Sequence, residues 1–174
     1  MADMDDGEAI RMCRNGHQET FRHLVRTYQQ RALAHARALT GNDADAADAA
    51  QEAFVDAFRN LDRFKPGLDF YPWFYVLLRN RCLKQRTRRG TRQESGMLPD
   101  RPASTPVSVE QALDLRAALE QLDAPDRELI LLKHLDGWTY DEIASRLEIP
   151  RGTVMSRLFT ARRRLQGLLT GAQP

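Results

Sequence analysis

Apolar residues recur along this chain at spacings of three and four, the pattern of helices that each bury one face. Phe21, Leu24, Val25, Tyr28, Ala32, Leu33, Ala36 and Leu39 form a first stripe. It breaks at Thr40-Gly41-Asn42, where glycine suits a helix C-terminus and Asn42 or Asp43 suits the next N-cap. A second stripe, Ala50, Phe54, Ala57, Phe58 and Leu61, stops at the turn Lys65-Pro66-Gly67. A third holds Phe70, Trp73, Phe74, Leu77 and Leu78. With a short leading helix, these stripes predict a helical bundle over residues 1–90. The alternation expected of strands is nearly absent.

Between Gly90 and Ser108 proline, glycine, serine and threonine dominate and no period survives, which predicts a flexible linker over residues 91–108. Helicity resumes at Val109 with Leu115, Leu119 and Leu122, breaks at Asp123-Ala124-Pro125, and returns from Asp126 to Asp136-Gly137. Thr139-Tyr140-Asp141-Glu142 then reads as a capping box, with the Thr139 hydroxyl covering the amide of residue 142 and Glu142 reaching back to residue 139. Ile143, Ala144 and Leu147 give that short helix its buried face. Glu148-Ile149-Pro150 turns the chain, and Val154, Leu158, Ala161, Leu165 and Leu168 hold a period through a longer helix. A short helix, a tight turn and a longer basic helix make a helix-turn-helix. The expected fold is therefore all-α: a helical bundle over residues 1–90 and a helix-turn-helix domain over residues 109–174, joined by the linker.

Composition adds little, with 42% hydrophobic and 29% charged residues and a net charge of +2. The distribution of charge adds more. Arg79 to Arg92 holds seven basic residues and no acid, and the stretch from Arg151 to the C-terminus holds five arginines and no acid. Asp43 to Asp62 holds six acids against Arg59. Separated acidic and basic segments imply two kinds of partner surface. Cys13 and Cys82 are far apart and outside any CxxC pair, so two thiols in a reducing compartment are expected. Cys13 and His17 stand one helical turn apart, but no second pair accompanies them and no zinc site is expected. The acidic start MADMDDGE is unlike a secretory leader, and no apolar run reaches membrane-spanning length; a cytoplasmic protein without membrane insertion is expected. Neither a phosphate-binding glycine loop nor a nucleophile-base set is evident, so neither an enzyme nor a cofactor is expected.

With Leu158 turned inward, Thr153, Ser156, Thr160 and Arg163 fall on the opposite face of the last helix. Arg157 and Arg164 flank that face on one side and Phe159 on the other. Hydroxyls and guanidinium groups there suit phosphates and base edges. The second basic segment follows a cluster of rings, Phe64, Phe70, Tyr71, Trp73, Phe74 and Tyr75, a combination that suits single-stranded nucleic acid. Trp73 and Phe74 lie on the apolar stripe and read as core. The rings from Phe64 to Tyr71 stand in a polar turn and read as functional.

The stretch GWTYDEIASRLEIPRGTVMSRLFTARRRL resembles region 4 of the extracytoplasmic-function (ECF) branch of bacterial sigma factors. DADAADAAQEAFVDAFRNLDRF, followed by FYPWFYVLLRNRCLKQRTRR, resembles region 2 of the same family. The resemblance implies a factor that binds core RNA polymerase, recognises minus-35 and minus-ten elements and helps melt DNA. It implies polymerase contacts at Asp45, Asp48, Gln51 and Glu52, against the β′ clamp helices, with the β flap as a further partner. It implies minus-35 contacts at Arg151, Gly152, Thr153, Ser156, Arg157, Phe159, Thr160 and Arg163. For the minus-ten element it implies Phe64, Lys65, Phe70, Tyr71, Trp73, Asn80, Lys84 and Arg88. Promoter DNA, duplex and melted, and an anti-sigma factor are the remaining partners implied. Met155 and Thr160 stand where many relatives carry Lys or Arg, and Pro66 and Pro72 are unusual near the minus-ten loop. Two other readings compete. A stand-alone helix-turn-helix regulator leaves the acidic segment unassigned, and a protein-binding helical adaptor leaves the arginine-rich face without a role.

Overall fold

The computed structural model describes the backbone of residues 4–90 and 109–170, and the side chains of residues 4–87 and 114–170. The expected linker, residues 91–108, lies outside the described residues. The described chain is helical throughout apart from turns, without a strand, in the order α1 (Asp6–Arg14), α2 (Phe21–Thr40), α3 (Asp43–Arg59), α4 (Phe70–Gly90), α5 (Val109–Glu120), α6 (Ala124–His134), α7 (Tyr140–Leu147) and α8 (Arg151–Thr170). Short 3-10 turns precede α2 and follow α3. Contacts divide the chain into two compact units, residues 1–96 and 97–174.

In the first unit α2, α3 and α4 pack against one another. The α3 face is built of small residues, with Ala46, Ala49, Ala53 and Ala57 all buried, which lets the neighbouring backbones approach closely. Larger groups from the other helices fill the remaining space: Leu24 and Leu39 of α2, and Phe70, Phe74, Tyr75 and Leu78 of α4. Phe54 stacks on Phe74 with centroids 4.4 Å apart. Burial of each such ring or leucine stabilises the bundle by roughly 1.5–3 kcal/mol. The boundary between α2 and α3 follows the expected chemistry. Gly41 takes the left-handed conformation, φ 80°, and its N–H donates to the Arg37 carbonyl at 2.9 Å. Asn42 caps α3, its side-chain oxygen accepting from the Asp45 amide at 2.8 Å. Phe58, expected in the core, is instead exposed at the rim, edge-on to Phe21.

The second unit buries Leu129, Leu132, Trp138, Ile143, Val154, Leu158 and Ala161. The capping box forms as expected: the Glu142 amide donates to the Thr139 hydroxyl at 3.2 Å and the Thr139 amide to the Glu142 carboxylate at 2.7 Å. Those bonds hold the Glu142 carboxyl below its usual pKa. Glu148 then adopts a left-handed conformation, φ 56°, which lets the chain reverse into α8 within three residues. Leu115 and Leu168, placed on apolar stripes by the sequence, are both exposed; Leu168 lies in the last turn of α8, and Leu115 lies midway along α5.

Candidate nucleic-acid and polymerase interfaces

In α8 the residues Val154, Leu158 and Ala161 are fully buried, and this fixes the opposite face outward. Arg151, Gly152, Ser156, Phe159, Thr160 and Arg163 are exposed, and Thr153 is half-buried at the edge. Met155, absent from the expected set, shares that face and is also exposed. The Arg163 guanidinium lies 5.9 Å from the Phe159 ring centroid and has no acidic partner among the described residues. The other arginines are engaged. Arg157 pairs with Asp126 of α6 at 3.2 Å, Arg164 with Asp123 at 3.4 Å, and Arg151 with Asp141 at 3.4 Å. Asp126 is itself buried, so Arg157 ties α8 to α6 rather than standing in the outward row. A Cβ added at Gly152 meets nothing within 4 Å, and its φ needs no glycine. The fold therefore gives no reason for glycine at this position.

The expected ring platform near the start of α4 is overturned in part. Phe64, Phe70 and Tyr71 are 4%, 1% and 2% exposed, and so offer no surface on which a base can stack. Most of their partners lie within ten positions, across the turn or along α4, and the distant ones come from α2. Phe64 packs edge-on to Phe70 and Trp73 with centroids 6.0 and 5.4 Å away, Phe70 stacks on Phe74, and Tyr71 lies beneath the Arg31 guanidinium at 3.8 Å. Trp73 is half-buried among them. Lys65, Pro66, Gly67, Leu68 and Asp69 stand above these rings in an exposed loop, and Leu68 is 60% exposed. Leu68 falls outside every periodic stripe, and its place between Gly67 and Asp69 in a turn was the signal available for it. Arg14 of α1 holds the root of this loop, donating to the Leu61 carbonyl at 2.6 Å and to the Phe64 carbonyl. Along α4, Asn80 and Lys84 are exposed one turn apart, with Val76 exposed one turn earlier. The Arg88 side chain lies outside those described.

Arg81, within the basic segment, does not face outward with them. Its guanidinium binds both Asp56 oxygens, at 2.5 and 2.7 Å, and Glu52 at 2.8 Å, joining α4 to α3. Hydrogen bonding to Arg81 holds the Asp56 carboxyl below its ordinary pKa. Glu52 is thus turned toward α4. Of the four expected polymerase contacts, Asp48 and Gln51 are exposed, while Asp45 is half-buried in the N-terminal cap, where it accepts from the Asn42 side-chain amide at 2.6 Å. Gln51, Val55 and Phe58 of α3 line an open groove together with Val25 and Leu33 of α2. Val55 and Phe58 are exposed apolar residues on this acidic helix; periodicity placed Phe58 on the core stripe and left Val55 outside it.

Among the described residues no group of His, Cys, Asp and Glu is arranged to hold a metal ion, and no helix is long and apolar enough to cross a membrane. Cys13 and Cys82 are both buried and form no disulfide, and burial raises the Cys13 pKa above that of an ordinary thiol.

Family models match both units: Sigma-70 region 2 over residues 24–92, and Sigma-70, region 4, over residues 112–165. The chain is 30% identical over 175 residues to the ECF RNA polymerase sigma-E factor of Escherichia coli (strain K12), a match spanning 91% of each protein. It is 34% identical over 156 residues to the ECF RNA polymerase sigma factor SigE of Mycolicibacterium smegmatis, spanning 84% of this chain and 60% of that protein's length. In structure it is similar to the sigma factor RpoE of Bartonella quintana, solved in complex with the anti-sigma factor NepR. The TM-score there is 0.74 at 27% identity, with 88% of this chain and 98% of the other covered. It is likewise similar to CnrH solved in complex with the cytosolic domain of CnrY, with a TM-score of 0.68 at 25% identity and with 97% and 99% of the two chains covered.

Proposed function

Because the chain belongs to the extracytoplasmic-function branch of the sigma-70 family, it is a transcription initiation factor, and we propose that it binds core RNA polymerase in the cytoplasm and directs it to promoters through separate surfaces. Residues 1–90 dock on the polymerase and engage the minus-ten element, residues 109–174 read the minus-35 element, and residues 91–108 connect them. The observation that carries this reading is the outward row of α8, where Ser156, Phe159, Thr160 and Arg163 are exposed opposite a fully buried face. A helix anchored that way presents the Arg163 guanidinium as a donor, and the Ser156 and Thr160 hydroxyl oxygens as acceptors, to a major groove.

On α3, Asp48 and Gln51 meet the β′ clamp helices, and Val55 and Phe58 extend that face with apolar surface. Glu52 acts indirectly, through Arg81, by fixing α3 against α4. At the minus-ten element the exposed loop of residues 65–69 and the Asn80–Lys84 row meet the separated strand. Phe64, Phe70 and Tyr71 serve from beneath, holding the loop in one shape. Extruding one base costs a few kcal/mol, and a loop already ordered lowers the remaining cost of capturing it. The second unit also contacts the β flap. An anti-sigma factor covers one of these faces in the resting cell, as the solved complexes of RpoE with NepR and of CnrH with CnrY suggest by likeness.

The test is promoter binding with and without core polymerase, followed by run-off transcription. The chain is expected to shift promoter DNA well only in the presence of core enzyme and to direct initiation at a defined start. Tight binding by the chain alone would favour the stand-alone regulator instead. Arg163→Ala is expected to weaken holoenzyme binding and to reduce the slope of log affinity against log salt by about one. An unchanged slope would remove Arg163 from the interface.

A further inference from the structure

The outward row of α8 contains two residues that neither the fold nor phosphate binding explains. Met155 and Phe159 are 48% and 62% exposed, one turn apart, while the core side of the same helix is already filled by Val154, Leu158 and Ala161. Neither side chain carries a hydrogen-bond donor for phosphate. The polar residues between and beside them are turned to the helix itself, with the Ser156 hydroxyl donating to the Thr153 carbonyl and the Thr160 hydroxyl to the Ser156 carbonyl, both at 3.2 Å. Met155, Phe159 and Arg163 thus form one straight ridge at steps of four residues, apolar over its first two positions and cationic at its third. Arg163, 5.9 Å from the Phe159 ring, marks the ridge as a face for an anion.

Within a major groove the apolar feature that distinguishes one base pair from another is the thymine C5-methyl group; the other edges present donors and acceptors. We infer that Met155 and Phe159 are specificity-determining residues that read thymine methyl groups in the minus-35 duplex. Two residues separated by four positions rise about 6 Å along the helix, so they reach neighbouring but different base pairs. Phe159 offers a rigid plane, and Met155 a flexible, polarisable arm that adapts to a methyl off its axis. The inference rests on the proposed minus-35 role of α8 and adds to it which bases are read.

The experiment uses holoenzyme, this chain with core polymerase, to select duplexes from a library randomised over the minus-35 region. Each thymine of the selected element is then replaced singly by deoxyuridine, which removes the methyl and keeps the pairing. Wild-type holoenzyme is expected to bind about fourfold more weakly at one or two of these positions, the worth of one buried methyl. Met155→Ala and Phe159→Ala are each expected to abolish the difference between thymine and uracil at one position, while Met155→Leu retains it. Both positions are solvent-exposed, and circular dichroism melts will confirm that the variants fold. Selected elements without a T·A pair, or equal binding of thymine and uracil throughout with duplex binding intact, overturn the inference and leave the minus-35 reading standing. Failure of holoenzyme to select any minus-35 sequence overturns both.

Discussion

Arg81 illustrates how a residue's neighbours in space override its neighbours in sequence. It sits among seven basic residues and shares their charge, yet its fork is closed on Asp56 and Glu52. Periodicity cannot show this, because the two acids are 25 and 29 positions away. The pair has a consequence in acid. Asp56 is held below its ordinary pKa of 3.8, so its contribution is complete above that value and is lost as the pH falls through the lower, folded value. Urea midpoints measured from pH 6 to pH 2.5 should therefore decline below about pH 4, and Asp56→Asn should flatten that decline while lowering stability at neutral pH by about 1–3 kcal/mol. Gly152 makes the opposite case. Because an added methyl meets nothing in the chain, Gly152→Ala should leave the melting temperature unchanged or raise it slightly, helix propensity favouring alanine by up to about 1 kcal/mol. The same change should weaken minus-35 binding in a gel shift. A loss of stability with binding preserved would reverse the assignment.

At the scale of elements the sequence was legible where its signals are local. The glycine stop at Gly41, the Asn42 cap and the Thr139–Glu142 capping box each depend on residues within a few positions, and all formed as expected. Thr139→Ala should cost about 1 kcal/mol, read as a fall in the thermal midpoint of the second unit, with Thr139→Ser recovering most of it. What failed was a contrast between loop and core. Phe64 and Tyr71 border a polar turn, and a turn that need not carry rings suggests a functional use for them. Phe64 finds Phe70 and Trp73 when the turn folds back on α4, and Tyr71 finds Tyr28 and Arg31 only when α2 and α4 pack. The stripe on α3 failed more mildly: its period includes Phe58, but the periodic rule has no knowledge of where the covering helix ends.

For the whole molecule, charge is arranged so that the first unit carries both an acidic and a basic segment and the second a further basic helix, and the small net charge conceals all three. That segregation was visible without any structure, because it depends only on order along the chain. The identity of the outward groups was not, since burial decides it: of the acids on α3, Asp48 remains available while Glu52 is committed to an internal bridge. The bonds from Arg14 to the carbonyls of Leu61 and Phe64 join the first helix to backbone as much as 50 positions later. An event at the amino terminus is thereby felt at a distance along the chain. A fusion partner or truncation that frays the first helix should accelerate amide hydrogen exchange in the segment following Phe64 before it does so in α2. Where tagged preparations open promoters poorly, that remote loosening, rather than damage near the tag, is the defect to measure first.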